Sequence, residues 1–243
     1  MGKIKIKIIK LGEIKHQEEW KYIEKLKKTK NSLFEIVDIK EAKLPSADLD
    51  TWGYSDKVLR EKVKKCSTAD VVIGFIDAPI EDNYFSRSLF ENVGVVTFYE
   101  ADKIFKNAHV SLKNYILHEI YNSIVLFYMD SLSVEEAENF FHKDTRGCLF
   151  DMCGIKEDII IGTTKPKICY ECEAKIRKHI IPKDFLENIK KELKRLKKPL
   201  YYRITDWIKG HPILSMVLAT LSAIVIDIGA ALIYDVLKLV FTH

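Results

Sequence analysis

The sequence lacks the features of an exported chain at its amino terminus. Its first residues, MGKIKIKIIKLGEI, alternate lysine with isoleucine and contain no continuous apolar stretch of the kind found in signal peptides. Ile6 stands where a myristoylation signal has serine or threonine. We therefore expect a cytoplasmic domain whose five cysteines are reduced thiols, suited to binding a metal rather than forming disulfides.

Internal repeats and low-complexity segments are also absent. The hydrophobic content of 47% and the charged content of 30% are enough for a core and exclude a chain that is disordered by composition. A length of 243 residues allows one sizeable domain with an appendage.

The chain has little net charge, only +4, but the charge is unevenly distributed. Residues 175–209 contain twelve lysines and arginines against four acids, so this segment carries +8 and the rest carries −4. Such a basic segment predicts contact with anionic lipid or with a nucleic-acid ligand. The residues predicted to make that contact are Lys190, Lys191, Lys194, Arg195, Lys197 and Lys198.

Hydrophobic periodicity in the first 130 residues predicts alternating strands and helices. Strands are predicted at 3–12, 32–39, 70–77 and 93–100, and helices at 16–30, 55–69 and 111–130. This order predicts an α/β (α+β) fold with one mixed sheet. The polar segment 77–87 follows a buried strand and is either a ligand-binding loop or an ordinary connection.

Four of the five cysteines form two close pairs, in the pattern C-x4-C-x15-C-x2-C. Cys148, Cys153, Cys169 and Cys172 therefore predict one structural zinc ion with four thiolate ligands. The alternative is two separate sets of buried or redox-active thiols. Cys66 stands apart on the apolar side of a predicted helix, where a core thiol is expected.

The helix predicted at 111–130 contains HEIYN, which begins like the H-E-x-x-H motif of zinc peptidases. Together with the cysteine pairs, His118 and Glu119 make residues 3–176 resemble the archaemetzincins, a family of metzincin-like zinc peptidases. The resemblance implies a zincin-like sheet and a retained structural zinc.

The same resemblance implies that the catalytic zinc is lost. The family's second histidine is replaced by Asn122, and Gly147 precedes Cys148 where its third histidine would stand. A catalytic zinc needs three protein ligands, and Glu119 without a metal-bound water has nothing to deprotonate. His118 and Glu119 are therefore interpreted as vestigial. His142 is either a surface histidine, the favoured reading, or a substitute or outer ligand of the cysteine site.

The carboxyl-terminal third predicts a membrane anchor. An amphipathic basic helix over 181–198 places Leu186, Ile189, Leu193 and Leu196 on one face, and residues 213–241 form a long apolar helix. Tyr201, Tyr202 and Trp207 precede it like an aromatic belt, and the basic segment suits a cytoplasmic flank. The predicted divisions are 1–180, a zincin-like cytoplasmic domain; 181–210, a juxtamembrane linker helix; and 211–243, one transmembrane helix. A buried core helix, or two short helices meeting at 227–229, are the alternatives.

One side of the apolar helix carries its small and polar residues. Met216, Thr220, Ala223, Asp227, Ala230, Tyr234 and, one step off, Lys238 recur about every 3.5 positions. A carboxylate at mid-membrane costs about 2.5–3.5 kcal/mol on insertion scales, and a bundle of helices can offset this cost. Thr220, Asp227, Tyr234 and Lys238 are therefore predicted to line the contact or pore of an oligomer. The alternative is a simple anchor whose Asp227 is tolerated.

These features predict a non-catalytic effector in the inner membrane, crossing it once, whose cytoplasmic domain senses a signal. The layout resembles bacterial anti-phage membrane effectors, of the Hailong type, and this resemblance implies a nucleotide or oligonucleotide ligand and a partner nucleotidyltransferase. A membrane-tethered zinc metallopeptidase with unusual ligands is one alternative. An anchored scaffold that binds another protein is the other.

Overall fold

The computed structural model describes residues 2–64, 68–89, 92–129 and 140–241. The chain divides into two compact units, Met1–Lys197 and Lys198–His243. The first unit contains the sheet and all the cysteines that the structure describes, and the second contains two helices.

The first unit is built on a five-stranded sheet. Its strands are β1 (Ile4–Leu11), β2 (Phe34–Ala42), β3 (Val71–Ile76), β4 (Ser86–Ser88) and β5 (Val93–Thr97). They lie in the order β2-β1-β3-β5-β4, and every neighbouring pair is parallel except β4 with β5. The predicted mixed α/β sheet is confirmed. Strand β4 is not predicted from the sequence, because three residues are too few to show a periodicity.

Seven helices of the first unit are described. They are α1 (Gln17–Lys28), α2 (Asp56–Lys62), α3 (Ala101–Asn107), α4 (Leu112–Phe127), α5 (Ile159–Thr164), α6 (Tyr170–Ile176) and α7 (Phe185–Leu193). Helix α2 is shorter than predicted, and Cys66 lies outside the described residues.

Both faces of the sheet are covered, so the central strands are buried on both sides. Ile6 and Ile8 of β1 point into the larger core with α1 and α4, whereas Ile9 and Leu11 join a smaller core with α2. All six residues of β3 are buried, as the continuous apolar run predicted. Gly74 permits this close packing, since a Cβ there would lie 2.9 Å from both Leu11 and Val63.

The predicted amphipathic helix, α7, packs into the larger core. Its residues Phe185, Leu186, Ile189 and Leu193 are buried there, followed by Leu196. Burial of these side chains explains why the first unit extends to Lys197. Residues 181–197 are thus part of the folded unit rather than of a linker beginning at 181.

The second unit consists of α8 (Leu200–Gly210) and α9 (Pro212–Phe241). His211 separates them, with φ −136° and ψ 60°. Helix α9 is one continuous helix, not two short ones, and its segment Pro212–Tyr234 is long and apolar enough to cross a membrane. None of that segment is buried against the rest of the chain, which argues against the buried core helix.

The packing of α7 predicts a loss of stability when its core face is truncated. Replacing the fully buried Ile189 with alanine leaves a cavity and should lower the free energy of unfolding by about 2–5 kcal/mol. The measurement is denaturant unfolding of the full chain in detergent, followed by the fluorescence of the buried Trp20. Lys191→Ala, at an exposed position of the same helix, is the control and should change stability little. Equal effects of the two changes would mean that α7 does not pack as described.

Candidate metal centre

Four potential ligands converge beside α6. One ligand atom each of His142, Cys148, Cys169 and Cys172 lies within 4.8 Å of the others. His142 Nε2 lies 3.0 Å from the Cys169 sulfur and 3.1 Å from the Cys172 sulfur. Three of these residues are buried and Cys169 is half-buried, so the group can be shielded from solvent and oxidants.

Backbone pairing between short segments brings the ligands together. Leu149 N–H donates to Lys167 C=O at 2.8 Å, and Lys167 N–H donates to Gly147 C=O at 3.0 Å, which aligns Cys148 with the approach to Cys169. His142 N–H donates to Phe150 C=O at 2.9 Å, and Met152 N–H donates to His142 C=O at 2.8 Å. These two hydrogen bonds of His142 hold its ring next to the sulfurs of Cys169 and Cys172.

The carboxylate of Asp151 holds the loop that carries Cys148. It accepts hydrogen bonds from the backbone N–H groups of Arg146 at 2.8 Å and Cys148 at 2.9 Å. The Cys169 sulfur accepts from Cys172 N–H at the start of α6, at 3.4 Å. Hydrogen bonds from the Cys172 thiol and from the Cys169 N–H lower the pKa of Cys148. This environment favours the thiolate, which is the form that binds a metal.

Three sulfurs and one imidazole nitrogen are a common ligand set for a structural zinc ion. The predicted single zinc site is therefore supported, and the residues that would hold the ion are His142, Cys148, Cys169 and Cys172. With four protein ligands the site is closed, so bound zinc would supply folding free energy and cross-link segments far apart in sequence.

The predicted ligand set differs from this cluster at one position. Cys153 lies outside it, and His142, for which the sequence favours a surface position, is buried and lies inside it. The backbone at Cys153 has φ +48°. Burial, together with the charges of Asp151 and Glu119, raises the pKa of the Cys153 thiol to about 12.

His118 and Glu119 lie on the buried side of α4. His118 Nδ1 lies 3.0 Å from Glu119 Oε1, whereas His118 Nε2 is buried and has no hydrogen-bond partner. Helix α5 covers this nitrogen closely, since a Cβ on Gly162 would lie 3.3 Å from it. Asn122 donates to Leu149 C=O at 3.0 Å. Among the described residues, neither His118 nor Glu119 belongs to a group of three potential metal ligands.

Half of the predicted basic contact residues are engaged within the chain. Lys190 lies 2.9 Å from Glu173, Arg195 lies 2.6 Å from Glu192, and Lys198 lies 2.8 Å from Asp206. The remaining three, Lys191, Lys194 and Lys197, are exposed. The sequence does not reveal which of the six are engaged. Glu173 and Asp206 are each more than one helical turn away along the chain from the lysine that they contact.

The predicted pore residues Thr220, Asp227, Tyr234 and Lys238 all lie on α9. The Thr220 hydroxyl donates to Met216 C=O at 3.1 Å, so its hydrogen-bonding capacity is partly met within the helix. Asp227 is exposed and has no hydrogen-bond or ion-pair partner within the described part of the chain.

The polar segment 77–87 is held by the chain's own groups at both ends. Asp77 accepts from Lys15 N–H at 2.8 Å and lies 2.9 Å from His16 Nδ1, and Arg87 donates to Asp56 at 2.7 Å. Next to Asp77, a cavity of about 620 Å³ lies where β1, β2 and β3 end, and Glu13, Glu41 and Lys43 are among its lining residues.

Two solved structures are similar to this chain. The archaemetzincin of Methanopyrus kandleri has a TM-score of 0.43 and 13% identity, covering 72% of this chain and 94% of its own. The archaemetzincin of Archaeoglobus fulgidus, complexed with malonate, has a TM-score of 0.42 and 14% identity, covering 71% and 99%. No protein-family model and no curated protein matches the sequence. At these TM-scores and identities the likeness assigns neither the fold family nor an activity.

The ligand cluster predicts about one zinc ion per chain and a distinct pattern of loss. His142→Ala and Cys172→Ala should each lower the bound zinc and the thermal stability, because each removes one of four ligands. Cys153→Ala should keep the zinc, since Cys153 lies outside the cluster. Metal analysis of purified protein by mass spectrometry provides the measurement. If the Cys153 variant lost its zinc and the His142 variant kept it, the ligands would instead be the four cysteines predicted from the sequence.

Proposed function

We propose that this protein is a non-catalytic membrane effector: a zinc-stabilised cytoplasmic domain attached to a helix that crosses the inner membrane and self-associates. The observation that carries the proposal is the segment Pro212–Tyr234 of α9, which exposes apolar side chains along its length together with the unpaired carboxylate of Asp227.

The dimensions of α9 support the membrane part of this proposal. The apolar segment Pro212–Tyr234 has 23 residues, which at about 1.5 Å per residue gives roughly 35 Å, slightly more than the ~30 Å hydrocarbon core of a bilayer. In water, this length of exposed leucine, isoleucine and valine would be strongly unfavourable. A bilayer removes the cost without requiring any contact with the first unit.

Asp227 supports the self-association part. It lies inside the crossing segment, about two thirds of the way from Pro212 to Tyr234, and a carboxylate at the centre of such a segment costs about 2.5–3.5 kcal/mol on insertion scales. The spacing of Thr220, Asp227 and Tyr234, seven residues apart, places all three on one side of the helix. Contact between copies along this side would give the carboxylate a hydrogen-bonding partner or a water-filled lumen.

The surroundings of His118 support a role without peptidase chemistry. A catalytic zinc needs three ligands and an open coordination position. Here the free nitrogen of His118 faces Gly162 of α5, and the amide of Asn122 is used to bind Leu149 C=O. The one ligand cluster found among the described residues is the closed Cys3His set.

The signal that controls the effector belongs to the same proposal. The layout suggests a nucleotide or oligonucleotide messenger, made by a partner nucleotidyltransferase in anti-phage defence, and this suggestion depends on the layout alone. The cavity at the ends of β1, β2 and β3 is large enough for a small ligand. Its charged lining residues are Glu13, Glu41 and Asp77 against Lys43, so it is poorly suited to the phosphates of such a messenger and does not support this part of the proposal.

Moving the carboxylate tests the role of Asp227. Asp227→Leu should abolish oligomers of the full chain in detergent and lower the permeability of vesicles that contain it, because the polar contact is lost. The matched control, Asp227→Leu with Val225→Asp, keeps the composition but moves the carboxylate to another side of the helix. It should fail in the same way. Wild-type behaviour of Asp227→Leu in both assays would instead support an anchored scaffold.

Replacing Glu119 tests the absence of peptidase chemistry. Glu119→Gln keeps the size of the side chain and removes its capacity as a general base, so membrane permeabilisation and growth inhibition on expression should change less than about twofold. A loss of activity at unchanged zinc content and thermal stability would favour the metallopeptidase instead. Two zinc ions per wild-type chain would favour it as well.

A further inference from the structure

Helix α8, Leu200–Gly210, carries an apolar face that the chain leaves uncovered. Leu200, Ile204, Trp207 and Ile208 recur at the spacing that aligns side chains on one face of a helix. Their exposed fractions are 65%, 49%, 39% and 45%, and no residue of α8 is buried.

The opposite side of α8 is polar. Asp206 forms an ion pair with Lys198 at 2.8 Å, the Thr205 hydroxyl donates to Tyr201 C=O at 3.0 Å, and Lys209 is exposed. The helix is therefore amphipathic and suited to a boundary between water and an apolar medium, rather than to burial on all sides.

Chain connectivity identifies that medium. One residue, His211, separates the end of α8 at Gly210 from the start of α9 at Pro212. If α9 crosses the bilayer as proposed above, α8 must end where the chain enters the headgroup region. The helical geometry breaks at His211, so α8 is not a continuation of the transmembrane helix. Its charged residues Arg203, Asp206 and Lys209 also exclude it from the hydrocarbon core.

We propose that α8 lies in the plane of the membrane surface, with Leu200, Ile204, Trp207 and Ile208 buried at the boundary between headgroups and acyl chains. This inference rests on the proposed membrane span. The occupant of the apolar face is the lipid bilayer itself. Trp207 is suited to this depth, because an indole combines a large apolar ring with one N–H donor. Burying the four side chains in the boundary offsets the cost of exposing them to water.

Quenching of tryptophan fluorescence by brominated lipid tests the proposal on the full chain in phosphatidylcholine vesicles. The chain has 3 tryptophans, so complete quenching of Trp207 would remove roughly a third of the emission if the three contribute equally. Lipid brominated near the headgroup should quench the wild-type protein more than lipid brominated deep in the acyl chain. Trp207→Phe should remove this difference, since Trp20 and Trp52 belong to the first unit.

A matched pair of variants tests whether the apolar face of α8 contacts lipid. Ile204→Asn combined with Ile208→Asn should reduce the quenching of Trp207, whereas Thr205→Asn, on the flank of the same helix, should preserve it. If the double variant instead changes the oligomer size in detergent and leaves the quenching unchanged, the face contacts another copy of the protein and the proposal is wrong.

Extraction with alkaline carbonate separates this proposal from the one on which it rests. If the chain stays in the vesicle pellet but Trp207 is not quenched by shallow lipid, α8 does not lie at the membrane surface although α9 spans it. Stronger quenching by the deep lipid would also overturn the in-plane orientation. Release of the chain by carbonate would overturn the membrane span and the interfacial helix together.

Discussion

The first unit depends on the hydrogen bonds that side chains of α4 make with other segments in the core. Asn114 donates to Thr163 C=O at 3.1 Å and to Lys197 C=O at 3.2 Å, and Asn122 donates to Leu149 C=O at 3.0 Å. The Tyr115 hydroxyl lies 3.0 Å from both Phe85 C=O and Thr97 C=O, and the Tyr121 hydroxyl donates to Glu192 at 3.2 Å. A buried carbonyl without a donor costs about 1–3 kcal/mol, so these contacts fix where the surrounding segments can lie.

This arrangement gives Asn122 a structural role in the core. Asn122 stands four residues after His118, and its amide donates to the carbonyl of Leu149, next to the potential metal ligand Cys148. Asn122 thus connects the helix to the metal centre through the backbone. Zinc bound at His142, Cys148, Cys169 and Cys172 would hold the same loop from its other side, because the two contacts act on adjacent residues.

The two units differ in whether their apolar side chains are buried or exposed. The first unit buries its isoleucine, valine and phenylalanine side chains on both faces of the sheet, and α7 adds its apolar face to the larger core. The second unit leaves its apolar side chains exposed along α8 and α9. The membrane span and the interfacial helix proposed above would account for this difference, since lipid would cover the apolar side chains that the second unit leaves exposed.

The sequence by itself determined the features that depend on local pattern. Alternating lysine and isoleucine predicted β1, continuous apolar runs predicted β3 and α9, and the spacing of Cys169 and Cys172 predicted their shared site. Only the tertiary structure decided which distant residues join them. It placed His142 among the thiols, because backbone hydrogen bonds join His142 to Phe150 and Met152 and join Lys167 to Gly147 and Leu149, and it placed Cys153 outside the cluster. It also placed the unit boundary at Lys197, since an amphipathic face shows that a helix can pack without showing against what.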